Sequence, residues 1–190
     1  MQLLSVNTGI AREVEIGGRT TRSAIAKTPA PGRVDVRALG LAGDEQADLS
    51  VHGGLAQALY AYPSEHFAFW QTVRAQARVT LWDEPLAPGT MGENLTLAGL
   101  LESQVWVGDV LRFPQCSLSV SAPRQPCYKF NAAMGFAQAA KLMAQAGYCG
   151  FYLAVREPGS IAAGDAFELI PGPREVSIPE LFRSQMAKHR

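Results

Sequence analysis

The sequence predicts a mainly β fold, a barrel or sandwich with a few helices at its periphery. Three observations carry this. Short runs of alternating apolar residues recur at close spacing, Gly-Asp pairs punctuate them, and only three segments show helical periodicity.

The first run opens the chain, where Leu3, Ser5 and Asn7 alternate with Leu4, Val6 and Thr8 before Gly9 turns it. Ser23–Lys27 reads as a short strand stopped by Thr28-Pro29. Val34, Val36 and Ala38 alternate ahead of a turn at Gly40–Asp44. Further strands are predicted at Ala58–Tyr62, Asn94–Leu97, Val105–Phe113, Cys116–Ser121, Gly150–Arg156 and Ala166–Ile170. A helix is predicted after Pro63, with Ser64 as N-cap, Glu65 near its positive end and Phe67, Trp70 and Val73 as its apolar stripe. A second spans Ala132–Ala146 and stops at Gly147, and a short basic-ended one begins near Pro179. Residues 1–172 are thus expected to form one domain and 173–190 a short helical tail.

At 190 residues, the chain has length for one domain that buries roughly 70% of its unfolded surface. Seventeen basic residues balance seventeen acidic ones, which argues against a nucleic-acid polymer or an anionic membrane surface as partner. No apolar run reaches the roughly 18 residues of a spanning helix, and the N-terminal stretch lacks the pattern of a signal peptide. Three cysteines, odd in number and without a C-x-x-C pair, fit a reducing cytoplasm.

Gly108-Asp109 and Gly164-Asp165 read as tight turns into strands, because glycine allows positive φ and aspartate bonds back to the backbone. Gly43-Asp44 differs. Its turn runs on through a polar loop to Val51-His52-Gly53-Gly54, more chain than a reversal needs. Gly53 and Gly54 could bring backbone N–H groups close to an anionic group, and Glu93 and Asn94 behind Gly92 pose the same question.

Among the cysteines, Cys116 shares parity with Leu118 and Val120, and Cys149 with Phe151 and Leu153, so both are expected in the core. Cys127 lies in Ala122-Pro-Arg-Gln-Pro-Cys-Tyr-Lys129, where two prolines stiffen the backbone and Arg124 and Lys129 favour a thiolate. From these residues it is either a presented, reactive or metal-binding thiol or an ordinary turn cysteine. No zinc-ligand spacing, Walker loop or G-x-G-x-x-G occurs, while a Cys127–His52 pair stays open.

Taken in order, several motifs resemble one family. These are Gly40–Asp48, Val51-His-Gly-Gly54, Ala61–Phe67, Gly92-Glu-Asn-Leu95, Val107-Gly-Asp109, Ala122–Lys129, Gly150-Phe-Tyr152 and Gly164-Asp165. Together they resemble the MOSC domain, the molybdenum cofactor sulfurase C-terminal type, in its stand-alone bacterial YiiM-like branch. The resemblance implies a pyruvate-kinase-barrel-like β-barrel and a molybdopterin-type molybdenum cofactor whose protein ligand is Cys127. It implies reduction of small N-hydroxylated compounds, of the hydroxylaminopurine or amidoxime type, with electrons from a separate reductase. Relatives usually carry a further helical region, so the shorter C-terminus here is expected to lack it. On this resemblance His52 is a candidate proton donor, and Arg124, Lys129, Asn94, Glu93, Gly53 and Gly54 are candidates for cofactor binding. A non-catalytic carrier of cofactor or sulfur, and a metal-free thiol enzyme using Cys127 and His52, are the alternatives.

Overall fold

The computed structural model describes residues 1–47 and 53–188. The chain opens with β1 (Gln2–Thr8), a hairpin of β2 (Arg12–Ile16) and β3 (Arg19–Ser23), and the short β4 (Thr28–Pro29), β5 (Val34–Arg37) and β6 (Gly40–Leu41). Strand β7 (Leu59–Pro63), helix α1 (Phe67–Gln76) and strand β8 (Leu95–Ala98) follow. Next come β9 (Val110–Arg112), β10 (Ser117–Pro123), α2 (Tyr128–Met134) and α3 (Ala139–Ala146). The chain finishes with β11 (Phe151–Glu157), β12 (Gly159–Ile161), β13 (Glu168–Ile170) and α4 (Ile178–Ala187).

The principal sheet has eight strands in the order β13-β9-β10-β11-β7-β8-β1-β4, beside a three-stranded β12-β5-β6 sheet and the β2-β3 hairpin. Among the described residues the expected closed barrel is not formed, because β13 and β4 end the ladder. The reason lies in β1. One edge pairs with β8, but the other is divided between two short partners. Asn7 and Thr8 take β4, while Gln2 makes a single bridge to Ala166 and Leu3 exchanges backbone bonds with Gly164 and Asp165. The mainly β expectation holds, and the barrel is replaced by an open sheet whose ends approach through β1.

Strand β7 lies antiparallel to β11 and parallel to β8, and all five of its residues are buried. A parallel pair needs a crossover, and α1 supplies it. Trp70 of α1 is fully buried, donates Nε1–H to the Tyr62 hydroxyl at 2.6 Å, and meets Phe130 of α2 edge-on. Helix α1 follows a 3₁₀ turn at Ser64–His66, so Ser64 does not cap it. Glu65 accepts the Gly99 N–H at 2.6 Å. The single helix expected over Ala132–Ala146 is two helices. Gly135 ends α2 in the left-handed region, and the Asn131 side chain accepts the Ala140 N–H at the start of α3. Gly147 closes α3 as expected, and Ser177 with Glu180 forms a capping box on α4.

Two strand expectations shorten for local reasons. Over Val105–Phe113 only Val110–Arg112 is strand, because Asp109 accepts the Trp106 N–H at 3.0 Å and folds the approach into a turn. Over Ser23–Lys27 only Ser23 is strand, and the irregular stretch that follows carries Lys27 toward the interior. Cys116 and Cys149 are buried as their parity requires, and burial pushes the Cys116 thiol up to about 11. No helix among the described residues is long and apolar enough to cross a membrane.

A buried carboxylate fixes the start of β11. Glu102 accepts the Gly150 N–H at 2.7 Å and bonds His66 Nε2 at 2.8 Å, with Tyr148 stacked on the imidazole. Gly150 has φ +61, and a Cβ there would lie 2.4 Å from the Ala61 carbonyl oxygen and 2.8 Å from the Tyr60 ring. We therefore expect Gly150→Ala to lower stability by about 3 kcal/mol in chemical denaturation, with an unchanged denaturant slope.

Candidate functional site

A cleft of about 120 Å³ opens where β10 runs into α2. Arg124, Cys127 and Lys129 enter it from that junction, Tyr60 from β7 and Tyr152 from β11. Lys27 comes from the irregular stretch after β3, and Asp44, Gln46 and Gly53 from the loop after β6. The long polar loop singled out in the sequence therefore does face the segment that carries the cysteine.

Cys127 is half-buried and occupies the N-cap position of α2, with extended backbone at φ −132 and ψ 172. Pro126 just before it and the Phe130 N–H on its carbonyl at 3.0 Å hold that geometry. The two core cysteines are far less accessible, so among the described residues Cys127 is the thiol that the cleft presents.

Arg124 is 6% exposed, a buried guanidinium three residues before that thiol. Its Nη1 donates to the Met91 carbonyl, and its planar head lies 4.6 Å from the centre of the Tyr60 ring and 5.2 Å from that of Phe130. Gly92 lies beside this guanidinium, and its backbone conformation and its closeness to Ile25 both call for glycine. Its φ is +80, and a Cβ there would sit 2.7 Å from Ile25 and 3.5 Å from Arg124 Nη1. Burial alone would lower the pKa of Arg124, but Tyr60, Tyr152 and Cys127 outweigh it and raise the value, so the cation persists. Burial likewise raises the Tyr152 phenol, against the pull of Arg124.

A second buried charge lines the cleft. Lys27 and Asp44 pair with side chains only 8% and 6% exposed. Asp44 also accepts the Gly9 N–H at 2.8 Å and the Asn94 amide at 2.8 Å. Burial lowers the pKa of Lys27, and Asp44 opposes that shift. Neither Lys27 nor Asp44 stood out as a ligand-facing residue in the sequence. The Ser23–Lys27 stretch reads in the sequence as a short strand stopped by Thr28-Pro29, a pattern that carries no sign of a buried lysine.

The remaining candidates divide. Asn94 lines the cleft, but its amide donates to Asn7 O and to Asp44, and its oxygen accepts the Tyr60 N–H at 3.0 Å. Its polar atoms thus hold β1, β7 and the Asp44 loop together rather than facing a ligand. Glu93 is fully buried, bonded through Oε1 to the Gly89 N–H and the Thr96 hydroxyl, and does not line the cleft; burial raises its pKa. The outward N–H groups expected of Gly53 and Gly54 are occupied by Gln57 at 3.4 Å and Gln46 at 3.0 Å, and only Gly53 reaches the cleft. Lys129 lines it and donates to the Arg22 carbonyl at 2.9 Å, tying α2 to the hairpin. His52 lies outside the described residues.

The Lys27–Asp44 pair has a defined pH signature. Because folding lowers the Lys27 pKa, its charged form costs stability at neutral pH, and the cost fades as pH rises toward the ordinary value of 10.5. Asp44→Asn removes the group that offsets this cost, leaves a buried ammonium unpaired, and should destabilise by about 3 kcal/mol at neutral pH. The loss should shrink at alkaline pH, and the double variant with Lys27→Met should regain part of it. Thermal melts across pH check both expectations.

The MOSC domain family matches residues 48–168. Protein YiiM of Escherichia coli (strain K12) is 40% identical over 159 residues, covering 83% of this chain and 68% of that protein. A protein named Reductase from Gibberella moniliformis (strain M3125 / FGSC 7600) is 33% identical over 172 residues, 90% of this chain but 29% of its own length. Among solved structures, YiiM from Geobacillus stearothermophilus superposes with a TM-score of 0.77 at 31% identity, covering 98% of this chain and 84% of that one. The chain belongs to the MOSC domain family and is YiiM-like within it.

Proposed function

We propose that the protein is a molybdenum-cofactor oxidoreductase that reduces small N-hydroxylated compounds in the cytoplasm with electrons from a separate reductase. The observation that carries this reading is the donor set of the cleft, one thiol among Arg124, Lys27 and Lys129. No group of three His, Cys, Asp or Glu side chains that could hold a metal ion occurs among the described residues. A single thiolate instead suits a soft metal that arrives with its own sulfur ligands and an anionic tail. The family match and the similarity to a protein named Reductase support an oxidoreductase of this kind.

In this reading Cys127 is the protein's ligand to molybdenum, and the cofactor, when bound, supplies the two-electron chemistry of N–O cleavage. The chain's own residues bind, orient and move protons. Arg124, fixed by Met91 O and two aromatic rings, holds positive charge beside the thiolate without having to reorganise. Lys129 and Lys27 offer charge-assisted hydrogen bonds to the anionic parts of the cofactor or substrate. The net conversion of a hydroxylamine to an amine takes two electrons from the partner and two protons, and releases water. Lys27 can hold one of those protons at the cleft wall, and His52 is the donor proposed from the sequence. Such a reaction removes reactive N-hydroxylated bases and so detoxifies them.

The test is molybdenum and pterin content in wild type and Cys127→Ser from a cofactor-producing host given molybdate, followed by a hydroxylamine reduction assay with a competent reductase. We expect the wild type to hold molybdenum and turn over, and Cys127→Ser to lose at least about 100-fold in turnover. A wild type that never holds molybdenum defeats the proposal, and retention without turnover makes the protein a carrier.

A further inference from the structure

A second, larger cleft of about 540 Å³ lies under the β2-β3 hairpin and runs into the first, the two sharing Ser23, Ile25, Lys27 and Lys129. Its volume falls in the range that encloses small organic ligands. Its charge is one-sided. Arg12, Arg74 and Lys129 line it with one carboxylate, Glu15, beside Lys27, whose charge is already met by Asp44, although the whole chain is balanced at seventeen of each sign. Thr90 adds a hydroxyl, and Val14, Ile16 and Ile25 add apolar wall. Arg74 Nε is buried and finds no acceptor among the described residues. A buried donor without an acceptor is costly, and a turn of the Arg74 side chain toward a ligand oxygen in the cleft would relieve that cost.

The two clefts use different arginines. Arg124 lines the inner one and not the outer, whereas Arg12 and Arg74 line the outer and not the inner. Two sets of cations, bridged by Lys27 and Lys129, suit two separate anionic groups rather than one. Under the proposed function the inner set serves the cofactor, which leaves the outer set for another ligand. We infer that the outer cleft is a phosphate-ester subsite for the substrate. The protein accordingly takes N-hydroxylated nucleotides in preference to the corresponding nucleosides or bases. This rests on the proposed function for the identity of the substrate, but not for the subsite itself. Guanidinium groups bind phosphate oxygens in pairs, and apolar walls would cover the sugar and base.

The test uses adenosine 5′-monophosphate and adenosine as probes, titrated calorimetrically into the full chain without cofactor. We expect the nucleotide to bind about tenfold more tightly, with the preference weakening as salt rises. Arg12→Met and Arg74→Met should each cut the nucleotide's affinity severalfold and leave adenosine unchanged, whereas Arg74→Lys should keep part of the preference. Arg12 is exposed on the hairpin, so its replacement leaves the fold intact, and a thermal melt checks this. Equal affinity for the two probes overturns the subsite. So does a preference insensitive to both arginines, which would place the phosphate in the inner cleft. In molybdenum-loaded protein the preference should persist, and its disappearance would assign the outer cleft to the cofactor instead. A chain that never holds molybdenum yet shows the arginine-dependent preference keeps the subsite and loses the cofactor reading.

Discussion

The site depends on a positive charge that the fold has taken out of water. A guanidinium with so little exposure is tolerable only when its hydrogens find oxygens and its faces find aromatic rings. Arg124 meets both demands with groups from three separate parts of the chain, namely Met91 before β8, Tyr60 on β7 and Phe130 on α2. Satisfying the charge therefore fixes how β10 leaves the sheet and how α2 begins. Cys127 sits between those two events, so its position follows from the packing of Arg124. Pro123 and Pro126, which bracket Arg124 ahead of Cys127, then need only limit the turn.

The pairing of Lys27 with Asp44 does the equivalent work for the loops after β3 and β6 that line the cleft. Asp44 gathers the Gly9 N–H, the Lys27 ammonium and the Asn94 amide, while Asn94 in turn holds the Tyr60 N–H and the Asn7 carbonyl. The two networks meet at Tyr60, whose ring faces Arg124 and whose backbone is held by Asn94. A cleft built in this way keeps its cations in place before any ligand arrives, which is the condition for electrostatic stabilisation at low reorganisation cost.

Periodicity revealed the parts of the fold that obey a period. Parity placed Cys116 and Cys149 in the core and left Cys127 as the thiol to watch, and the Gly43-Asp44 turn was separable from the other two because its loop ran on. The β2-β3 hairpin was missed because both faces are largely polar, although Gly17-Gly18 between Thr- and charge-rich arms is a hairpin signal in its own right. The helix break at Gly135 was hidden because a single glycine is tolerated within a helical pattern. The divided edge of β1, which keeps the sheet open, is shared by nearby β4 and by Gly164–Ala166 more than 150 positions away, and no local pattern encodes the distant half. At the site, polar residue type pointed to Asn94 and Glu93, but their atoms are used to hold backbone. Lys27 and Asp44 were overlooked because a buried pair forms only when distant segments fold together.

In the proposed function Cys127 supplies the one protein sulfur on molybdenum. X-ray absorption at the molybdenum edge of the loaded protein tests it most directly. We expect one more sulfur neighbour on molybdenum in the wild type than in Cys127→Ser. An identical sulfur count in the two proteins would contradict it.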